Sequence, residues 1–142
     1  MNFKNCLLPN EEQKIKLSEE GPLGPVFMVN LIKFKDYAVY EDGRETELTG
    51  QQAYHLYGEA VVPHLSRFKA EVVFSTEVTE LMIGVIDQLW DVVNIVKFES
   101  RSFLNDFTSS AEWEHANVHR LAGIEGQLNF ETVHPTFSGS KT

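Results

Sequence analysis

Apolar positions recur along the chain at two different periods, and each change of period marks an element. From Val26 to Phe34 the residues alternate, with Val26, Met28, Asn30, Ile32 and Phe34 on one face and Phe27, Val29, Leu31 and Lys33 on the other. A two-residue period predicts a strand, and two mostly apolar faces predict that both are covered. Beyond Thr49 the step changes to three and four, through Ala53, Tyr57, Ala60, Val61, Leu65 and Phe68, which predicts a helix. Thr49 and Gln52 form a T-x-x-Q capping box at its start, and Pro63 predicts a kink or an early end.

Further on, 70–85 reads as a strand bulged near 76–78, 86–90 as a turn and 91–98 as a strand. Ser100 caps a short helix carrying Phe103 and Phe107. A second helix starts near Ser109, where S-x-x-E ends on Glu112, and stops at Gly123. A last strand covers 127–134, ahead of Pro135. Upstream, a short helix lies within 9–20, with Asn10 as its cap, until GPLGP ends it. The expected organisation is an N-terminal arm with a short helix over 1–22, one domain over 23–135 and a flexible tail over 136–142.

Strand, helix, strand, strand, helix, strand is the split βαβ order. It predicts an α+β, ferredoxin-like fold, with a four-stranded antiparallel sheet and its helices on one face. The runs VNLIKF at 29–34 and VNIVKF at 93–98 then begin the two halves and lie side by side. Their second face, which includes Val93 and Ile95, would be a large bare apolar patch on a monomer. A second copy packed sheet against sheet is the simplest cover, so a homodimer is expected.

Composition narrows the partners. With 142 residues and a net charge of −9, the chain has no basic face for a phosphate backbone, so no nucleic-acid partner is expected. Ten Phe, four Tyr and two Trp suit a pocket-lined core or a large interface. The single cysteine, Cys6, precludes an intramolecular disulfide. No run is apolar enough for a membrane span and no signal peptide is legible, so a cytoplasmic protein with no membrane partner is expected.

Several residues could carry chemistry. Asn30, in a buried strand, needs partners for its amide: a ligand carbonyl or hydroxyl, or a backbone group of a loop or helix. Lys33 either snorkels at the strand end or holds an anion. Tyr54 and Tyr57 share one helix surface and, with loop residues Tyr37 and Tyr40, suit an aromatic small molecule, a proton transfer or plain packing. Arg101 begins a helix, as an anion site or as an ion pair with an acid such as Asp106. Glu112, His115 and His119 share one helical face, but no second His or Cys motif joins them, so no metal is expected. His119 is instead a candidate acid/base or a packing residue. Nucleophile elbows, P-loops and G-x-G-x-x-G runs are absent, and no cofactor is expected.

The runs GPVFMVNLIKFKDYAVY, QQAYHLYGEA, WDVVNIVKFESRSFLNDF and HRLAG, in that order, resemble the bacterial domain-of-unknown-function family 1330, within the dimeric α+β-barrel superfamily. The resemblance covers about residues 9–134. It rests on Asn30, Leu31, Lys33 and Phe34, on Ala53, Tyr54 and Tyr57, and on Phe98, Ser100, Arg101 and Phe103, with Glu99 where the family has Pro. A later family Arg corresponds to Arg120. What the resemblance implies is a dimeric α+β barrel; no agreed activity comes with it. The expected function is a small-molecule-binding homodimer with an unidentified ligand. Asn30, Lys33, Tyr57, Arg101, Phe103 and Arg120 would bind it. As an enzyme it would be a cofactor-free isomerase, cyclase or monooxygenase-like protein acting on a carbonyl or aromatic metabolite, with His119 or Tyr54 moving the proton. The alternatives are a non-catalytic ligand-binding or interaction module, or a haem or metal protein.

Overall fold

The computed structural model describes residues 1–134; the expected tail at 136–142 lies outside the described residues. Strands β1 (Val26–Phe34), β2 (Ala70–Glu77), β3 (Val92–Phe98) and β4 (Ile124–Thr132) form one antiparallel sheet in the order β2-β3-β1-β4. The helices are α1 (Glu11–Ser18), α2 (Gly50–Val61), α3 (Arg101–Thr108) and α4 (Ala111–Gly123). This is the ferredoxin-like α+β plan. β1 and β3 are central neighbours, and Asn30 stands directly opposite Asn94.

Local chemistry sets the helix ends. Asn10 and Gln13, and Thr49 and Gln52, form reciprocal capping boxes. Pro63 lacks the N–H that an α-turn needs, and α2 gives way to a 3-10 helix over Val62–Phe68. Ser110, not Ser109, caps α4: its hydroxyl accepts from the Trp113 amide, while Ser109 closes the C-terminus of α3. β4 starts at Ile124 with no loop after Gly123, three residues before the expected start at 127, and Ile124 is fully buried.

β2 is shorter than its sequence pattern. It stops at Glu77 because β3 begins only at Val92 and offers the chain beyond 78 no ladder partner. Its bulge lies at Val73, where the register jumps from Val72–Val96 to Phe74–Ile95. The extra residue turns Phe74 from the helix side of the sheet to the open side.

The main core fills the space between one sheet face and the helices. Val26, Met28 and Phe98 meet Val61, Leu65, Phe68, Phe107 and Ala116. A second cluster joins Ala38 and Tyr40 of the long 35–48 loop to Ala53 and Ala122. At the junction of α2 and α4, Gly50 and Gly123 pack backbone on backbone, where a Cβ on Gly50 would overlap the carbonyl oxygens of Lys35 and Gly123.

Candidate functional site

Three strands each place an asparagine at the same level of the helix-covered face. Antiparallel register sets Asn94 of β3 opposite Asn30 of β1, and Asn129 of β4 opposite Asn30 on its other side. Asn30 Nδ2 donates to Asn94 Oδ1 at 2.8 Å. Its Oδ1 accepts from Gln127 Nε2 at 2.6 Å and from Asn129 Nδ2 at 2.5 Å. Asn94 Nδ2 then donates to the Tyr54 hydroxyl of α2 at 3.1 Å.

Arg120, projecting from α4, gives this chain of amides a direction. A guanidinium can only donate, so the Gln127 oxygen must face Arg120 Nη2, which it meets at 2.7 Å. That choice turns the Gln127 nitrogen to Asn30, the Asn30 nitrogen to Asn94, and the Asn94 nitrogen to Tyr54. Donors therefore run one way from the cation to the phenol, and such chains reinforce each bond in turn. Arg120 also donates to Asn117 Oδ1 at 3.0 Å and, from Nη2, to the Leu7 carbonyl of the N-terminal arm at 2.6 Å.

Beside Tyr54 lies Tyr57, their ring centroids 5.5 Å apart, and the Tyr57 hydroxyl accepts from the Trp113 indole at 3.2 Å. Protein surrounds both phenols, yet each keeps some solvent access. Burial pushes the Tyr54 pKa up to about 12, with Tyr57 beside it acting in the same direction. Burial likewise raises Tyr57. Both are thus neutral hydroxyls near pH 7. Desolvation pulls the Arg120 pKa down while the two phenols act the other way, but a guanidinium stays charged in either case. The Phe34 ring lies 5.5 Å from that of Tyr54, tilted by 51°, and Phe103, Tyr57 and Trp113 each pack against the main core.

Of the proposed site residues, Asn30, Tyr54, Tyr57 and Arg120 belong to this cluster, while Phe103 packs on the main core. Three others lie apart. Lys33 lies on the opposite sheet face, where Nζ binds the Leu89 carbonyl at 3.1 Å and Asp91 at 3.4 Å. Arg101 forms a two-pronged ion pair with Glu131, both contacts 2.7 Å, and donates to the Lys16 carbonyl of α1. Its acid partner is Glu131 rather than Asp106. His119 turns toward the 35–48 loop, where Nδ1 lies 2.6 Å from the Tyr40 hydroxyl. Burial and the nearby Arg44 hold its imidazole below the ordinary histidine value.

Sequence reasoning missed Gln127, Asn129 and Trp113. Asn129 was within reach, because LNF at 128–130 echoes the Asn-bearing runs of β1 and β3. Among the described residues no three His, Cys, Asp or Glu side chains gather as metal ligands, and Glu112 is paired with Arg67. No helix there is long and apolar enough to cross a membrane. Two surface clefts lie elsewhere. One, of about 670 Å³, is an open groove along 45–48. The other, of about 210 Å³, lies between Phe3 and Asn5 of the arm, Lys33, and Leu89 and Trp90.

Sheet order and interlayer polar cluster together define a ferredoxin-like α+β protein with an Arg-anchored amide chain beneath its helices. The chain is similar to the methylated RPA0582 protein, at 28% identity and a TM-score of 0.84, covering 97% of this chain and 100% of that one. It is likewise similar to the RPA0582 protein of unknown function from Rhodopseudomonas palustris, at 25% identity and a TM-score of 0.81, covering 93% and 100%. A dimeric protein of unknown function and ferredoxin-like fold from Bacteroides fragilis aligns at 12% identity and a TM-score of 0.47, covering 76% and 94%. No family model matches the chain, and no curated protein does.

Proposed function

We propose that the protein is a small-molecule-binding homodimer, grouped with domain-of-unknown-function family 1330, whose ligand lies against Tyr54 and Tyr57 between sheet and helices. The order of the motif residues supports the grouping. The binding reading is carried by one observation: a one-way donor chain starts at Arg120 and ends on the hydroxyl of Tyr54, whose own hydrogen no described residue accepts. Such a hydroxyl is suited to a ligand carbonyl or other acceptor oxygen.

Binding is better supported than proton transfer. A phenol with a pKa of about 12 donates a hydrogen bond but is a poor base near pH 7. His119, the other candidate, is bonded to Tyr40. Homodimerisation is supported by the open sheet face, where Phe74 and Phe130 are each 51% exposed around a half-buried strip of Val29, Leu31, Val93 and Ile95.

Thermal-shift screening of aromatic and lactone metabolites tests the binding reading. At a hundredfold excess over Kd a ligand stabilises by about 2.7 kcal/mol, which raises Tm by several degrees. Hits are expected to lose this shift in Tyr54→Phe, which keeps the ring and removes only the hydroxyl, and to keep it in Lys33→Ala. Hits that Tyr54→Phe retains in full would remove Tyr54 from the site.

A further inference from the structure

We propose that the hydrogen bond between Tyr40 and His119 is an acid-released latch that holds the 35–48 loop on α4. The latch is closed while the imidazole is neutral and opens when the ring takes up a proton.

The loop is held lightly, so one bond counts. Its apolar hold is small: Ala38 and Tyr40 against Ala53 of α2 and Ala122 of α4, with Leu48 packed alongside. Backbone bonds run from the Val39 amide to the Ala122 carbonyl at 3.0 Å and from the Ala38 amide to the Leu48 carbonyl at 2.9 Å. Segments with few buried apolar contacts open locally before the rest of a fold does. The Tyr40 hydroxyl and His119 Nδ1 lie 2.6 Å apart. Among the described residues this is the one side-chain to side-chain hydrogen bond between the loop and α4. The two rings meet edge to face, their centroids 5.5 Å apart.

Which group donates follows from burial. Tyr40 is only 5% exposed, and among the described residues its hydroxyl has no other partner. A phenol so placed gives its hydrogen to Nδ1, since the reverse arrangement leaves that hydrogen without an acceptor. Neutral His119 can take it; an imidazolium cannot, because both ring nitrogens then carry hydrogens. Protonation therefore turns Tyr40 into an acceptor and orphans its own buried hydrogen. It also places a second cation near Arg44, whose guanidinium carbon lies 4.5 Å from the centre of the Tyr40 ring. No neighbouring anion offsets it. Asp42 is taken up by Arg44, and Glu41, Glu45 and Glu47 of the loop are exposed. On α2, His55 and Glu59 pair with each other at 2.8 Å in solvent. On α4 itself His115 is exposed and Arg120 bonds to Asn117, Leu7 and Gln127. Lys35, the remaining loop cation, reaches the Leu121 carbonyl. The lowered His119 value noted above, caused first by burial and then by Arg44, agrees with this arrangement. The opened loop thus takes up the proton more readily than the closed one. The latch is fully closed above about pH 6.5 and is lost as pH falls through the lowered folded value.

Imidazole signals in a ¹H–¹³C spectrum of labelled protein give the His119 midpoint, assigned among the five histidines with His119→Asn. Hydrogen exchange gives the protection of the Ala38 and Val39 amides over the same range, about pH 7.5 to 5.0, in which carboxylates stay ionised. The His119 midpoint is expected below about 6.5. Protection of the two amides should fall with that midpoint, about tenfold for each pH unit that separates it from the ordinary value, while the β1 amides keep theirs. Tyr40→Phe keeps the ring and removes only the hydroxyl. It should raise the His119 midpoint and leave both amides less protected at the neutral end of the range. His119→Asn, which has nothing to titrate there, should show loop protection that does not change with pH. A wild-type midpoint at or above the ordinary value, or one that Tyr40→Phe leaves in place, overturns the proposal. So does wild-type protection that stays level across the His119 midpoint, or that falls equally in His119→Asn.

Discussion

Asn30 shows how one side chain can be structural and still define a site. Its amide receives two bonds and gives one to Asn94, so it is the junction through which the donor chain passes. Asn30→Ala would orphan the part-buried Gln127 nitrogen and the buried Asn94 oxygen, at about 1–3 kcal/mol for each buried group left unpaired. We expect a loss of about 2–4 kcal/mol in urea unfolding, with an unchanged m-value. Asn129→Ala, at an exposed position that water can serve, should lose under about 1 kcal/mol. Equal losses would contradict the junction role. At this scale the sequence carried much of the site. The two-residue period already puts Lys33 and Asn30 on opposite faces, so their separation could be read in advance. The Arg101–Glu131 pair could not, because it joins elements 30 positions apart through packing that no local pattern encodes.

At the scale of elements, caps and periods located the helices, and two glycines of α2 separate local propensity from packing. Gly58, inside the helix, faces open space. Gly58→Ala should therefore stabilise the protein by about 0.5–1 kcal/mol, as expected for removing backbone freedom within a helix. Gly50 abuts the carbonyls of Lys35 and Gly123, and Gly50→Ala should destabilise by about 1–3 kcal/mol or more, because α2 must move off α4. Thermal unfolding of both variants gives the signs; two stabilised proteins would refute the close approach. What the chain concealed was the end of β2. Its apolar pattern runs on through Leu81, Met82, Ile83 and Val85, yet all four are exposed. A strand extends only as far as a neighbour pairs with it, and β3 sets that limit.

For the whole molecule, the open sheet face is the dominant feature left unexplained by a single chain. Its central strip carries Val93 and Ile95 of β3 and Val29 and Leu31 of β1, flanked by Phe74 and Phe130 on the edge strands. If two copies bury this face against each other, Ile95→Asp places a charge in the middle of the seam. Sedimentation velocity should then find the wild type at twice the chain mass and Ile95→Asp at the chain mass, with its far-UV spectrum retained. A wild type that sediments as a monomer at every concentration contradicts the homodimer.

The sequence by itself determined the period of each element, the caps Asn10, Thr49 and Ser100, and the order of elements along the chain, because these depend on neighbours a few residues apart. It also put VNLIKF and VNIVKF on the strands that begin the two halves. Only the tertiary structure decided that Asn30 and Asn94 stand face to face, that Gln127 and Asn129 join them, and that Arg120 fixes the direction of the chain they form. Those contacts depend on register and on the angle at which α4 crosses the sheet, and both are set by packing across the whole fold.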